Sequence, residues 1–213
     1  RHLPEFTLLE WYRAGCDYRG LMTECEDLFL CVSGAIGTGG MIRCRGGEIN
    51  LAAPWERLSV AEAFERHASI PLERALRENR FEEVLALEVE PRLGRPRPTL
   101  LYDYPLAFGS LARPCKADPA FAERFEIYAG GLELANGFSE LTDAEEQRRR
   151  FEKENAIRVK RGQPPWPMPE TFLDAISRMP ESAGIALGVD RMVMLFTDAS
   201  SIDDVVSFTP EEL

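Results

Sequence analysis

The sequence predicts a single α+β domain, in which strand-like and helical segments follow one another along the chain. A glycine pair, Gly130-Gly131, stands between two strand-like segments and predicts a β-hairpin. Ser59, with Glu62 three residues later, is a capping-box pattern that predicts the start of a helix. The 213 residues are 45% hydrophobic and contain no internal repeat, low-complexity tract or evident linker. We therefore expect one domain over residues 1–213.

The first half of the chain contains three predicted helices and three predicted strands. An aromatic strand around residues 6–12 precedes a helix that begins near Tyr18 and has apolar residues at helical spacing: Leu21, Cys25, Leu28 and Val32. Residues 33–40, SGAIGTGG, lack the lysine of a phosphate-binding loop, which favours a flexible connection. A short strand in residues 46–50, the helix after Ser59, a helix over residues 71–87 and a strand over residues 99–104 follow.

The second half contains the hairpin and three more predicted helices. Thr142, with Glu145 three residues later, predicts the start of a highly charged helix that ends near Gly162. A proline-rich loop, QPPWPMP, and another helix come next. The last segment is typical of a strand over residues 185–187, a break at Gly188 and a helix from about residue 190.

Composition excludes several classes of protein. The formal net charge of −11 disfavours bulk nucleic-acid binding, because the short basic runs lie among acidic residues. No apolar run approaches the roughly 18 residues that a membrane span requires, so we expect no membrane role. The five cysteines are scattered and form no Cys-x-x-Cys pair, which indicates reduced thiols and a cytoplasmic protein without a structural zinc site: Cys16, Cys25, Cys31, Cys44 and Cys115.

The hairpin FEIYAGGLELANGFSEL carries more polar side chains than paired strands usually do. With a two-residue turn at the glycine pair, Tyr128 faces Glu133, and strict alternation places both on one face with Glu126 and Ala135. Glu126 and Glu133 are then diagonal neighbours, with backbones roughly 7–8 Å apart. Two carboxylates that converge in this way suit a hard divalent cation that is also bound by nucleotide phosphates.

Two interpretations of the hairpin follow from periodicity alone. One is the binding site just described, and the other is a solvent-exposed face whose carboxylates confer solubility. Strict alternation also places Asn136 on the opposite face, so a β-bulge near Gly137 is required if Asn136 belongs to the site. The residue pattern does not decide between these interpretations.

Three segments resemble the signature motifs of class II lysyl-tRNA synthetases, in the same order and at similar spacing. RHLPEFTLLEWYRA resembles the later part of their second motif, and ERFEIYAGGLELANGFSELTDAEEQRRRFE resembles their lysine- and metal-binding hairpin. GIALGVDRMVML resembles their third motif. The resemblance implies an antiparallel sheet flanked by helices. Within the superfamily, the segments ELANGF and LYDYP most resemble those of the elongation factor P lysine ligases, although true synthetases share GFSEL.

The resemblance assigns roles at the nucleotide end of the site. Phe6 and Arg191 are expected to stack on the two faces of adenine, and His2 to lie near the phosphates. Glu126 and Glu133 are expected to hold Mg²⁺ against ATP. Arg191 and Glu133 are the residues expected to take part in catalysis.

The resemblance also assigns an amino-acid pocket. Tyr12 and Glu140 are expected to surround the ammonium end of the substrate side chain, where a buried cation requires a paired anion. Glu10 and Asn136 are expected to line the pocket as polar groups. The structural alternatives are a core position for Phe6 and Tyr12, a surface position for Arg191, and a supporting role for Glu10.

The implied reaction activates lysine or β-lysine with ATP as an aminoacyl-adenylate, in an enzyme that forms a homodimer. The acceptor is a lysine side chain of elongation factor P, or alternatively lysine tRNA. A non-catalytic binding module is a third possibility. The chain starts at Arg1, inside the second motif, so we expect that an upstream segment belongs to the protein and that residues 1–213 alone catalyse adenylation poorly.

Overall fold

A six-stranded mixed sheet organises the computed structural model, which describes residues 4–109 and 111–209. The strands are β1 (Leu8–Ala14), β4 (Glu56–Ser59), β5 (Thr99–Pro105), β6 (Phe121–Ala129), β7 (Leu132–Ser139) and β8 (Ser182–Gly188). Their order is β1-β8-β7-β6-β5-β4, and every neighbouring pair is antiparallel except β4 and β5. A separate hairpin pairs β2 (Met41–Cys44) with β3 (Gly47–Asn50).

Seven α-helices lie between or after the strands in the described part of the chain. They are α1 (Tyr18–Ala35), α2 (Val60–His67), α3 (Leu72–Arg77), α4 (Phe81–Val84), α5 (Ala144–Lys160), α6 (Glu170–Ile176) and α7 (Val189–Thr197). A π-helical turn (Leu85–Val89) continues α4, and 3₁₀ turns occupy Glu90–Arg92, Leu106–Phe108 and Ile202–Val205. None of these helices has the length and apolar character needed to cross a bilayer.

The two faces of the sheet are covered unequally. On one face, here called the covered face, α1, α7 and the β2–β3 hairpin pack against a core that includes Phe29, Ile127 and Leu187. On the other face, helices α2–α4 cover the β5 side, around Phe64 and Leu101. Among the described residues, the β1, β8 and β7 part of this second face is left open, and we call it the open face.

Most predicted elements are confirmed, and the capping box at Ser59 is present in full. The hairpin turns at the predicted glycine pair, and Gly188 separates β8 from α7 as expected. The covering of the sheet by helices also agrees with the predicted α+β class. The five cysteines are free thiols.

Four details of the prediction are wrong. Asp143, rather than Thr142, caps α5, because its carboxylate accepts hydrogen bonds from the amides of Glu145 and Glu146. The helix predicted over residues 71–87 is interrupted at Asn79, which adopts φ +54°. Strands β2 and β4 were not predicted, since four-residue strands leave little periodicity. Helix α1 extends to Ala35, and the Ser33 hydroxyl accepts a hydrogen bond from the amide of Gly40, so the glycine segment is fastened to the helix.

Candidate active site

A row of directly paired residues crosses the open face of the sheet. Glu10 on β1 pairs with Ala186 on β8, Ala186 pairs with Asn136 on β7, and Asn136 pairs with Glu126 on β6. Directly paired residues in a sheet project to the same side. Three polar residues predicted for the site therefore share one face with Ala186 between them.

A β-bulge at Leu134 brings Asn136 to this face. Pairing passes from Tyr128 with Glu133 to Ile127 with Ala135, so Leu134 is an extra residue that faces no partner. Glu133 and Asn136 thus share a face although they are three positions apart. The prediction of Ala135 on that face is wrong, because the bulge moves Ala135 to the covered face, and the expected bulge lies at Leu134 rather than near Gly137.

Glu126 is buried, and its carboxylate accepts three hydrogen bonds. Tyr104 and Tyr128 donate hydrogen bonds from their hydroxyls to Oε2 at 2.7 and 2.5 Å, and Arg124 donates from Nη2 to Oε1 at 2.6 Å. Burial raises the pKa of Glu126, and the charge of Glu133 raises it further, while Arg124 and the two hydroxyls oppose the shift. Glu126 and Glu133 are thus close enough to repel each other.

Arg124 ties the buried carboxylate to the neighbouring amide. Its Nε donates to Oδ1 of Asn136 at 3.0 Å, and its guanidinium lies 4.4 Å from the ring centre of Tyr104. Arg124 is therefore a shared support for Glu126 and Asn136. The prediction placed Tyr128 on this face without a role and overlooked Arg124 and Tyr104, because single tyrosines and arginines in strands carry no signal that distinguishes them from ordinary core or surface residues.

Arg191 and Glu133 form the next part of the site. Nη1 of Arg191, in the first turn of α7, donates to the carbonyl oxygen of Glu133 at 2.9 Å and to its Oε2 at 3.1 Å. Both residues line a cavity of about 250 Å³ with Phe6, Asn136 and Ala186. A second cavity contains Arg124, Glu126 and Glu133, so the two cavities share Glu133.

Phe6 is not a core aromatic. Its side chain is 60% exposed and lines the same cavity as Arg191. The loop that carries it is fastened to α7, because the amide of Thr7 donates to a carboxylate oxygen of Asp190 at 2.9 Å. An aromatic ring and a guanidinium thus border one cavity. His2 lies outside the described residues.

The other end of the open face contains Tyr12 and Glu140. A β-carbon at Gly184 would lie 2.5 Å from Cε1 of Tyr12 and 2.6 Å from Oε1 of Glu140, so both side chains lie directly over this glycine. Tyr12 is 65% exposed and so is not in the core. Burial raises the pKa of Tyr12, and the carboxylates of Glu140 and Glu10 raise it further. The role of Gly184 was not predicted. Only the structure shows that a side chain at this position would collide with Tyr12 and Glu140.

Glu140 lacks a partner for its charge. Its carboxylate makes no ion pair or hydrogen bond within residues 4–109 and 111–209, and burial raises its pKa to about 7. A half-buried carboxylate without a counterion favours binding of a cation, which would restore the ionised form. The arrangement is therefore suited to an amine.

The carboxylates fit a hard cation only in part. Within the described ranges, no group of three or more His, Cys, Asp and Glu side chains is arranged to hold a metal. Glu126 and Glu133 supply oxygen ligands of the kind that Mg²⁺ prefers, and the remaining ligands would have to come from water or a bound phosphate. The pair therefore fits a metal that arrives with a nucleotide.

The sequence also matches a known family. The family model described as class II tRNA synthetases (D, K and N) matches residues 1–212. The chain belongs to this family. The predicted family and its fold are therefore confirmed, with the parallel pairing of β4 and β5 as a departure from a purely antiparallel sheet.

Curated relatives carry the name "Elongation factor P--(R)-beta-lysine ligase". The protein of Salmonella paratyphi B (strain ATCC BAA-1250 / SPB7) is 40% identical over 98% of this chain and 66% of its own length. The protein of Erwinia tasmaniensis (strain DSM 17950 / CFBP 7177 / CIP 109463 / NCPPB 4357 / Et1/99) is 42% identical over the same shares. The chain thus spans 66% of the length of these relatives.

Proposed function

We propose that this protein activates lysine or β-lysine with ATP and transfers the aminoacyl group to a lysine side chain of elongation factor P. The observation that carries the proposal is the continuous open face, which has the Glu133–Arg191 pair at one end and the unpaired carboxylate of Glu140 at the other. The first suits a nucleotide with its metal, and the second suits an amine. The names of the relatives support the choice of substrate and acceptor.

The nucleotide would bind between Phe6 and Arg191, with His2 near the phosphates. A ring and a guanidinium that border one cavity are a suitable pair of surfaces for a base. Glu126 and Glu133 would hold Mg²⁺, which supplies positive charge that offsets the charge of the phosphates. The hydrogen bonds to Glu126 from Tyr104, Tyr128 and Arg124 would fix this carboxylate before the nucleotide arrives.

The amino acid would place its side-chain ammonium beside Glu140 and Tyr12, while Glu10 and Asn136 contact its polar groups. Ala186 lies between Glu10 and Asn136 in the same row and leaves space above the sheet. The carboxylate of the substrate would then point along the row toward Arg191. This direction agrees with the shared lining of the cavity by Asn136, Ala186 and Arg191.

Two displacement steps account for the reaction. In the first, an oxygen of the substrate carboxylate attacks the α-phosphorus of ATP, the bond to the β-phosphate oxygen breaks, and pyrophosphate leaves. In the second, the neutral amine of the acceptor lysine attacks the activated carbonyl, AMP leaves, and the amine loses a proton to solvent. Arg191 would offset the negative charge that develops on the phosphates, and the row of polar residues would orient the reactants.

Cysteine chemistry has no part in this proposal. Burial raises the pKa of Cys115 to about 12, and the charge of Asp103 adds to the shift. Burial also raises the pKa of Cys25. Thiols held in the protonated form are poor nucleophiles.

We further propose a homodimer that works in the cytoplasm.

The activation step is tested by ATP–pyrophosphate exchange in the full-length protein. We expect exchange that depends on lysine or β-lysine, and a loss of at least a hundredfold in Arg191→Ala and Glu133→Gln. Arg43→Glu is a matched control, because Arg43 is exposed and forms no ion pair in the described parts of the chain. Wild-type exchange in both active-site variants would contradict the proposal.

Transfer to lysine tRNA is the second candidate function. The family description, which names tRNA synthetases, favours it. The net charge of −11 favours a protein acceptor instead. A non-catalytic binding module fits less well, because a degenerate site has no need of the Glu133–Arg191 pair or of the network around Glu126.

A further inference from the structure

A proline-rich segment lies against α5 and is fastened to it. The amide of Trp166 donates to Oδ1 of Asn155 at 2.8 Å, and Nδ2 of Asn155 donates back to the carbonyl oxygen of Trp166 at 2.9 Å. Nε of Arg158 donates to the carbonyl oxygen of Pro164 at 3.1 Å. We call residues 161–169 the α5 strap. Its backbone is held in place at two points along the helix.

The strap holds a large aromatic ring in solvent. Trp166 is 66% exposed, whereas Trp55 in the core is 3% exposed. The guanidinium of Arg158 lies 4.5 Å from the centre of the Trp166 ring and covers one side of it. A tryptophan whose backbone and ring are both fixed loses little conformational freedom when a partner covers it, and tryptophan is enriched among the residues that dominate protein interfaces.

The segment that carries Trp166, between Glu154 and Glu170, is basic in an acidic chain. Residues 155–169 contain Arg158, Lys160 and Arg161 and no carboxylate, while the whole chain has a net charge of −11. Lys160 and Arg161 are exposed, and in the part of the chain that the structure describes none of the three cations forms an ion pair. This surface therefore complements a partner that presents carboxylates.

The strap surface lies on the connection that leads from Glu140, the residue directly after β7, to β8, which carries Gly184. Helix α5 follows β7 and α6 precedes β8, and the amide of Glu140 donates to the carbonyl oxygen of Ser182 at 2.9 Å. Asn155 lies about 17 Å along the helix axis from Ala144, the first residue of α5. A folded domain of about 100 residues has a radius of gyration of about 13 Å, which is comparable with this distance.

We propose that Trp166, with Arg158, Lys160 and Arg161, docks the protein acceptor through an acidic face of that protein. The inference rests on the proposed function, since it names the surface that holds the acceptor while its lysine reaches the open face. The surface contributes to binding of the acceptor and has no part in the activation of the amino acid.

The test compares Trp166→Ala and the double variant Lys160→Glu/Arg161→Glu with wild type in the full-length protein. Leu87→Ala and Arg43→Glu are matched controls, because Leu87 is 71% exposed and Arg43 is an exposed cation elsewhere. We expect both strap variants to raise the KM and the Kd for elongation factor P at least tenfold, and the KM for lysine and ATP in pyrophosphate exchange to stay unchanged. The Kd of wild type for elongation factor P should also rise more steeply with added salt than the Kd of the double variant.

Two sets of results separate this inference from the proposed function. Pyrophosphate exchange that is absent from wild type contradicts the proposed function. A Kd for elongation factor P that is equal in wild type and both strap variants overturns the docking inference, as does a wild type that does not bind elongation factor P. Loss of tRNA binding or of self-association in the strap variants, with unchanged binding of elongation factor P, also overturns it.

Discussion

Glu140 combines two properties that seldom occur together in a carboxylate: it is half-buried, and its charge has no partner in the described residues. Burial raises its pKa to about 7 and so favours the protonated form in the folded protein. A substrate ammonium would reverse this preference. Under the proposed function, the ionisation of Glu140 would therefore be coupled to the binding of an amine.

We predict that Glu140→Gln makes the protein more stable at alkaline pH. Because the pKa of Glu140 is raised in the folded protein, its contribution to stability is complete below the unfolded-state pKa of about 4.3. That contribution is lost as the pH rises through about 7. The amide keeps the shape and removes the cost of ionisation. Urea unfolding should therefore show a variant more stable than wild type by ~1 kcal/mol at pH 8, since partial exposure weakens the effect, and by nearly nothing at pH 4.

The exposed residue Glu65 supplies the control for this prediction. Glu65→Gln should leave the difference in unfolding free energy from wild type the same at pH 4 and pH 8, because this side chain is exposed and forms no ion pair within the described ranges. A Glu140→Gln difference that does not change with pH would contradict the account of an uncompensated carboxylate.

We predict that Gly184→Ala damages the proposed amino-acid pocket and leaves the fold intact. The new methyl group would meet Cε1 of Tyr12 at 2.5 Å and Oε1 of Glu140 at 2.6 Å, so both side chains must move. The KM for lysine or β-lysine in pyrophosphate exchange should rise at least tenfold, with the KM for ATP within twofold of wild type. Gly34→Ala, where a β-carbon meets nothing within 4 Å, should change neither constant. Equal KM values for the amino acid in both variants would show that Gly184 is not part of the pocket.

At the scale of elements, the β6–β7 hairpin shows which features of the site could be predicted from the sequence and which could not. The turn at the glycine pair and the pairing of Tyr128 with Glu133 were predicted, because turn chemistry is local. The bulge at Leu134 was misplaced, because it depends on how β7 fits between β6 and β8. One extra residue changes the face of every residue after it, and Asn136 reaches the open face for this reason.

We predict that Leu134→Ala lowers the free energy of unfolding by about 2–4 kcal/mol. Leu134 is 2% exposed and packs in the core of the covered face, so its side chain anchors the bulged residue there. Denaturant unfolding measures the change, and Leu9→Ala, at a position 45% exposed, should cost much less. A loss below 1 kcal/mol in Leu134→Ala would mean that the bulge does not depend on this anchor.

The same scale explains the errors at helix ends. Thr142 and Asp143 are both good capping residues, and the choice between them depends on which side chain reaches the free amides of α5. Asn79 interrupts the predicted helix over residues 71–87 with a left-handed backbone conformation, which asparagine tolerates better than most residues. The capping and backbone preferences of single residues are too weak to locate a helix end before the tertiary contacts are known.

At the scale of the whole molecule, the three recognisable segments lie far apart in the chain and meet on one face of one sheet. Strand β1 pairs with β8, and β8 pairs with β7, so the motif around Phe6 and the motif around Arg191 both lie on the β7 side of the hairpin. The roles that the family resemblance assigned to residues of this face stay predictions, and the residues that contact them, such as Arg124 and Gly184, were not foreseen. Supports are defined by contacts across strands, and one sequence does not encode these in a local pattern.

The choice of acceptor is the central claim, and one competition measurement tests it most directly. The full-length protein is incubated with ATP, Mg²⁺ and labelled lysine or (R)-β-lysine, with elongation factor P and lysine tRNA present together. We predict label on a lysine side chain of elongation factor P and little label on the tRNA. Label on the tRNA alone would contradict the proposed acceptor and make the protein a tRNA-charging enzyme, and label on neither would contradict group transfer itself.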